Sequence, residues 1–131
     1  MGCWTTEIDL RDEWVDYLGH ITATAHLALF EEARALWLAT VMDDDEPAFV
    51  LARQELDYRS ELLRNAGSVT VSISPVALGR SSVTVAERLS SGAGLHTESR
   101  AVLVRWNTEA RSAMAFPALE RSRIEEQMSA D

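Results

Sequence analysis

Lysine is absent from this 131-residue chain: all twelve basic side chains are arginine, set against 21 aspartates and glutamates, for a net charge of −9. So acidic a balance argues against nonspecific binding to nucleic acid or to an anionic membrane surface, where phosphates would meet like charge. Cysteine is nearly absent. Cys3 stands alone, so no disulfide can form within the chain, which fits a reducing compartment and a cytoplasmic protein. The N-terminus lacks the apolar stretch of a secretory signal, and no apolar run is long and uncharged enough to span a bilayer. Met1-Gly2 with Thr6 matches the loose N-myristoylation pattern, but such short patterns are common by chance, and Trp4 to Leu10 reads as a strand. Internal repeats and a dividing linker are also missing, so one domain over 1–131 is expected.

What the chain does have is apolar bulk: 47% apolar residues and four tryptophans, enough for a packed core. The segment Asp16 to Met42 organises the rest. From Ala23 onward it is rich in Ala, Leu, Glu and Arg with no Gly or Pro, and it reads as a helix. Leu27, Phe30, Ala33, Leu36, Trp37, Leu38 and Val41 cover most of its circumference, and Glu31, Glu32 and Ala35 leave a narrow polar arc. A helix this apolar is expected to be buried on most sides. Asp43-Asp44-Asp45-Glu46-Pro47 stops it; this acidic run reads as a solvated turn, since no Gly-containing calcium-loop spacing follows.

Around the helix lie candidate strands. Trp4 to Leu10 alternates cleanly; Phe49 to Tyr58 does so with a blur at Arg53-Gln54; Ser68 to Ser74 places Val69, Val71 and Ile73 on one face. Pro75 suggests a bulge or an edge position. Gly79-Arg80 reads as a turn into Ser81 to Leu89, Ser90 to Gly94 as a flexible turn, and His96 to Trp106 as the last strand. Arg59 to Gly67 reads as a connection with a helical turn at most. Pro117 then opens a C-terminal helix over Ala118 to Met128. Strands joined by short turns pair antiparallel. The expected fold is α+β: one curved antiparallel sheet wrapped around a long central helix, plus a short C-terminal helix.

That order, together with Asp16-Tyr17-Leu18-Gly19-His20-Ile21 ahead of the helix and Phe30-Glu31-Glu32-Ala33-Arg34 within it, resembles the hot-dog-fold acyl-CoA thioesterases, in particular the 4-hydroxybenzoyl-CoA thioesterase-like branch. Leu56-Asp57-Tyr58 resembles the family's second-strand end, and Leu78-Gly79-Arg80-Ser81-Ser82 its Gly- and Ser-bearing hairpin. The chain departs from the family where Trp14 replaces an acid, Thr22-Ala23 replaces an Asn-Asn pair, and His26 replaces a tyrosine. The resemblance implies thioester hydrolysis without a metal or cofactor, on an acyl-CoA or acyl-carrier-protein substrate, by a homodimer or homotetramer with sites at the subunit boundary.

Such a reaction needs donors for the carbonyl oxygen and a group that attacks or activates water. The free N–H groups of a helix N-terminus can be the donors. The resemblance points to that of Ala23, with that of Thr22, and to Asp16 as nucleophile or general base. An Asx-turn before Gly19 is the structural alternative for Asp16. His20 contacts the acyl group or water, or orients the loop; Thr22 donates to substrate or caps the helix. His26 reads as packing, and Glu31 with Arg34, at i, i+3, as a structural ion pair. Arg80 and Ser82 meet a pantetheine arm or a CoA phosphate, or belong to a solvated hairpin. A hydratase would need a His and an acid at another spacing, which is not found. The non-enzymatic alternative is an acyl-thioester-binding or assembly module, kept open by the missing asparagines.

Overall fold

The computed structural model describes residues 3–129, so the Met1-Gly2 pattern lies outside the described residues. Strand β1 covers Trp4–Asp9, helix α1 Ala23–Met42, β2 Phe49–Tyr58, β3 Ser68–Leu78, β4 Ser82–Ser91, β5 Gly94–Asn107, β6 Ser112–Ala113, and α2 Ala118–Ser129. Single 3-10 turns lie at Asp12–Trp14 and Arg64–Ala66. The strands run in the order β1-β3-β4-β5-β2, every pairing antiparallel, with β6 attached to the end of β5. This is the hot-dog arrangement: a curved sheet with one long helix on its inner face.

The alternation anticipated in the strands recurs as burial. Val69, Val71 and Ile73 on β3, Val83, Val85 and Leu89 on β4, and Ala101 and Leu103 on β5 all point inward and are buried. They pack with Leu29, Phe30, Ala33, Trp37, Leu38 and Val41 of α1 into one core. The blur in β2 has a physical cause: the register shifts between Leu51 and Arg53, so the alternation skips a residue. A second shift follows Pro75, as a proline in a paired strand demands. The strand nevertheless continues to Leu78. The expected flexible turn over Ser90 to Gly94 shrinks to two residues, because Ser91 and Gly94 already pair across the hairpin.

Two expectations about α1 are corrected. It is not buried on most sides: Leu27 and Leu36 are 42% and 44% exposed. The sheet curls under α1 along β1, β3 and β4, and α2 closes one flank, which leaves the opposite flank of α1 uncovered in a single chain. Arg34 does not pair with Glu31 along the helix. It points into the core and meets Glu87 of β4.

The C-terminal helix is pinned by polar contacts at its edges. Trp37 donates its indole N–H to Gln127 at 3.0 Å, and Arg123 donates to the Val41 carbonyl at 2.7 Å, satisfying an orphan acceptor at the end of α1. Arg105 of β5 forks onto Glu120 at 2.8 and 3.1 Å. Among the described residues, no helix is long and apolar enough to cross a membrane.

Candidate active site

The loop that leads into α1 closes on itself. Val15 and Ile21 form an antiparallel bridge. Inside it the Asp16 N–H donates to the His20 carbonyl at 2.9 Å, and the Gly19 N–H donates to the Asp16 carbonyl at 3.1 Å. Gly19 turns the corner at φ 78°, and a Cβ there would meet nothing within 4 Å. Glycine is needed for its backbone freedom, not for space. The Asp16 Oδ1 accepts from the N–H groups of Leu18 at 2.8 Å and His20 at 3.1 Å, the geometry of an Asx-turn. Its Oδ2 has no hydrogen-bond partner among the described residues.

Thr22 then caps α1. Its Oγ1 accepts from the Ala25 N–H at 3.2 Å, and its own N–H donates to the Trp14 carbonyl at 2.9 Å. That second bond removes the Thr22 N–H from the set of free donors. The first-turn N–H groups without a partner among the described residues are those of Ala23 and Thr24. They carry the positive end of the helix dipole.

Beside this end of α1 lies a cavity of about 300 Å³, lined by His20, Ile21, Ala23 and His26 on one side and by Tyr58, Arg59, Ser60, Glu61 and Leu62 on the other. Backbone bonds hold the two walls together. Ile21 donates to the Leu62 carbonyl at 2.7 Å, Arg64 to that of Gly19 at 3.4 Å, and His20 bridges Leu63. Across the cavity edge, His20 Nε2 stands 2.6 Å from Glu61 Oε2. A second cavity of about 230 Å³ adjoins, lined by Glu61, Leu63, Asn65, Ala66, the turn Ser91 to Ala93, and His96. Glu61 belongs to both walls.

Two further histidines belong to these walls, His26 to the first cavity and His96 to the second. His26 Nδ1 is 2.6 Å from Thr97 Oγ1, and its ring meets Tyr58 edge-on at 5.3 Å. Burial pushes the His26 pKa below the ordinary 6.5, nearby His96 pushes the same way, and a backbone hydrogen bond at Ile21 opposes both. His96 has its tautomer set by its neighbours. Ser60 Oγ donates its proton to the Leu95 carbonyl at 2.7 Å, so toward His96 Nδ1, 3.1 Å away, it can only accept. In the neutral ring Nε2 then accepts, from the Ser91 hydroxyl at 2.6 Å.

A model of the thioesterase-like superfamily matches residues 10–128. The chain belongs to that superfamily. Among solved structures, a predicted thioesterase from Bacillus stearothermophilus is 25% identical over 95% of this chain and 96% of its own, with a TM-score of 0.85. A thioesterase from Thermus thermophilus, complexed with coenzyme A and Zn, is 26% identical over 95% and 93% of the two chains, with a TM-score of 0.82. Protein SAV2348 from Staphylococcus aureus, in complex with CoA, shares the fold at a TM-score of 0.86 and 16% identity, over 97% and 84% of the chains. No curated protein sequence matches.

In this thioesterase-like chain, His20 and Ala23 line the larger cavity, Gly19 and Asp16 form the turn that carries His20, and Thr22 caps the helix. Arg80 and Ser82 are elsewhere. They sit in the β3–β4 hairpin, where Gly79 donates to the Ser82 carbonyl at 2.8 Å and Phe116 to that of Arg80 at 3.0 Å. That hairpin and the Ser91 turn are opposite ends of the ten-residue β4, about 30 Å apart. Tyr58, Glu61, His96 and Thr97 are the polar side chains that sequence reasoning passed over. The one available signal was the polar run Arg59-Ser60-Glu61 directly after a strand end, too ordinary for a loop to single out. Among the described residues, no group of three or more His, Cys, Asp or Glu could hold a metal ion.

Proposed function

We propose that this chain hydrolyses an acyl thioester, of coenzyme A or an acyl carrier protein, as a member of the 4-hydroxybenzoyl-CoA thioesterase-like branch. The observation that carries the reading is the cavity at the start of α1, lined by Ala23, whose N–H is unpaired, and by His20 of the Asp16 turn; the unpaired N–H of Thr24 follows Ala23 in the same helical turn. Those donors suit a thioester carbonyl that becomes an oxyanion as it is attacked. Asp16 is the nucleophile or general base, acting through the Oδ2 that its turn leaves unpaired. The coenzyme A bound by the Thermus relative supports a CoA thioester as the substrate class.

The chain acts as a single domain in the cytoplasm, and as a homodimer or homotetramer. The uncovered flank of α1, with Leu27 and Leu36 exposed, and the exposed Leu51 and Tyr58 of edge strand β2 support assembly. Arg80 and Ser82, far from the cavity of their own chain, reach a substrate there only from a second copy.

One observation favours a second reading, an acyl-thioester-binding module without turnover. The Asp16 Oδ1 is occupied by two backbone donors, and Asp16 is not among the cavity-lining residues. Thiol release from a panel of aromatic, short-chain and long-chain acyl-CoAs, with wild type beside Asp16→Asn, separates the two. Turnover by wild type with a loss of about a hundredfold or more in the variant supports catalysis by Asp16. Binding of a CoA thioester with no turnover supports the module.

A further inference from the structure

We propose that His20 and Glu61 form the pair that takes the proton from the attacking water, with Glu61 as the positioning residue that holds His20 in the reactive tautomer. This rests on the thioesterase reading. Glu61 lies in a loop 41 positions beyond His20, outside every motif noted in the sequence, yet both side chains border the cavity at the free helix amides.

The geometry points to this division of labour. Glu61 Oε2 is an acceptor 2.6 Å from His20 Nε2, so the ring carries its proton on Nε2 and leaves the Nδ1 lone pair free. Among the described residues nothing hydrogen-bonds to that Nδ1. A hydrogen bond between such exposed groups contributes little to stability, and these two side chains are 35% and 60% exposed. Orientation is what it can supply. The backbone beneath is built to hold the two residues together: the His20–Leu63 bridge and the Ile21–Leu62 hydrogen bond flank the pair and fix the separation of the two chain segments. Asp16 contributes from below, because its Oδ1 accepts the His20 N–H and so sets where that residue starts.

The chemistry balances. The water oxygen bonds to the acyl carbon while its proton passes to Nδ1. When water attacks the thioester directly, His20 takes the proton in place of Asp16, whose part is then to hold His20 by its N–H; the C–S bond breaks and the imidazolium returns the proton to the departing thiolate. When Asp16 has first displaced the thiolate, which takes its proton from solvent, water opens the acyl–Asp16 anhydride, the C–O bond to the carboxylate breaks, and His20 gives the water's proton back to solvent. Either way the products are a carboxylic acid and a thiol.

The test is steady-state thiol release from the acyl-CoA panel by wild type, Glu61→Gln, His20→Asn and the double variant. The expected result is a ten- to hundredfold loss of kcat in Glu61→Gln with KM changed less than threefold, and partial recovery in Glu61→Asp. His20→Asn loses at least as much, and adding Glu61→Gln to it causes no further loss, because a residue that acts through His20 has nothing left to orient. Wild-type kcat in Glu61→Gln, or losses that multiply in the double variant, overturn the inference and leave the thioesterase reading standing. A wild type that turns over none of the panel overturns both.

Discussion

Arg34 of α1 and Glu87 of β4 form a forked ion pair at the centre of the core, with Nε 2.7 Å from Oε2 and Nη2 2.9 Å from Oε1. Ser99 donates to the same carboxylate at 2.7 Å, and Gln54 donates to Ser99 at 3.0 Å, so a polar chain runs across three strands to the helix. Both charged side chains are almost wholly buried. Removing two charges from water costs several kcal/mol, which the fork and its added hydrogen bond offset. Breaking the pair differs from replacing it. Glu87→Ala leaves a buried guanidinium without a carboxylate and is expected to cost about 3–5 kcal/mol, whereas Arg34→Met with Glu87→Leu is expected to cost far less. Urea unfolding of the three proteins checks this; equal losses would show that the pair contributes through its packing volume alone.

The hydrogen bond from Ala25 N–H to Thr22 Oγ1 is a separable contribution to the start of α1. Thr22→Ala is expected to lower stability by about 1 kcal/mol, and Thr22→Asp to restore it, since aspartate caps as well and adds a charge favourable to the dipole. Thermal melts report the stability. The N–H of Thr22 is untouched by either change, so its bond to the Trp14 carbonyl persists and the loop keeps its course. A Thr22→Asp variant no more stable than Thr22→Ala would place the benefit elsewhere than in the cap.

These two cases mark what the sequence made legible. Thr22 ahead of an Ala- and Leu-rich run is local information, and so are the alternation of Val69, Val71 and Ile73 and the Gly92-Ala93 turn; strands and helices declare themselves over a few residues. The hot-dog order followed from them. Arg34 and Glu87 are 53 positions apart and His26 and Thr97 are 71 apart, and only folding brings either pair together. Arg34 therefore seemed to need Glu31, its nearest acid on the helix. The uncovered flank of α1 was misread for another reason. An apolar Leu27 or Leu36 looks the same in sequence whether its own sheet covers it or nothing in the chain does. At the site, Asp16, His20 and Ala23 were visible because they stand together in one motif. Glu61 was not, because a charged residue in a loop is the commonest kind of residue a loop contains.

Gly19 tests how far the turn governs the site. At φ 78° with open space around its Cβ position, Gly19→Ala introduces backbone strain without a clash, for an expected cost of about 1 kcal/mol. Relaxation of that strain would move the His20 N–H from Asp16 Oδ1, and with it the wall of the cavity. Thioester turnover is therefore expected to fall by a larger factor than stability alone implies, while Gly67→Ala, at φ 77° and also unobstructed, is expected to cost similar stability with activity kept. Parallel melts and thiol-release assays decide; equal activity in the two variants would separate the turn from the site.

His26 contributes to the pH response of the fold. Its pKa is lowered in the folded chain, chiefly by burial and then by His96, so the unfolded chain binds the proton more readily. Where a group binds more protons unfolded than folded, stability rises with pH. The contribution of neutral His26 is thus fully present above the ordinary value of 6.5, declines as pH falls below it, and is lost through the lowered folded-state value. Melting temperatures at pH 8 and pH 5.5 are expected to differ by more in wild type than in His26→Gln. The glutamine can still meet the Thr97 hydroxyl, which lies 2.6 Å from Nδ1 in the native ring, but carries no titrating proton. An identical pH dependence in the two proteins would assign the acid sensitivity to other groups.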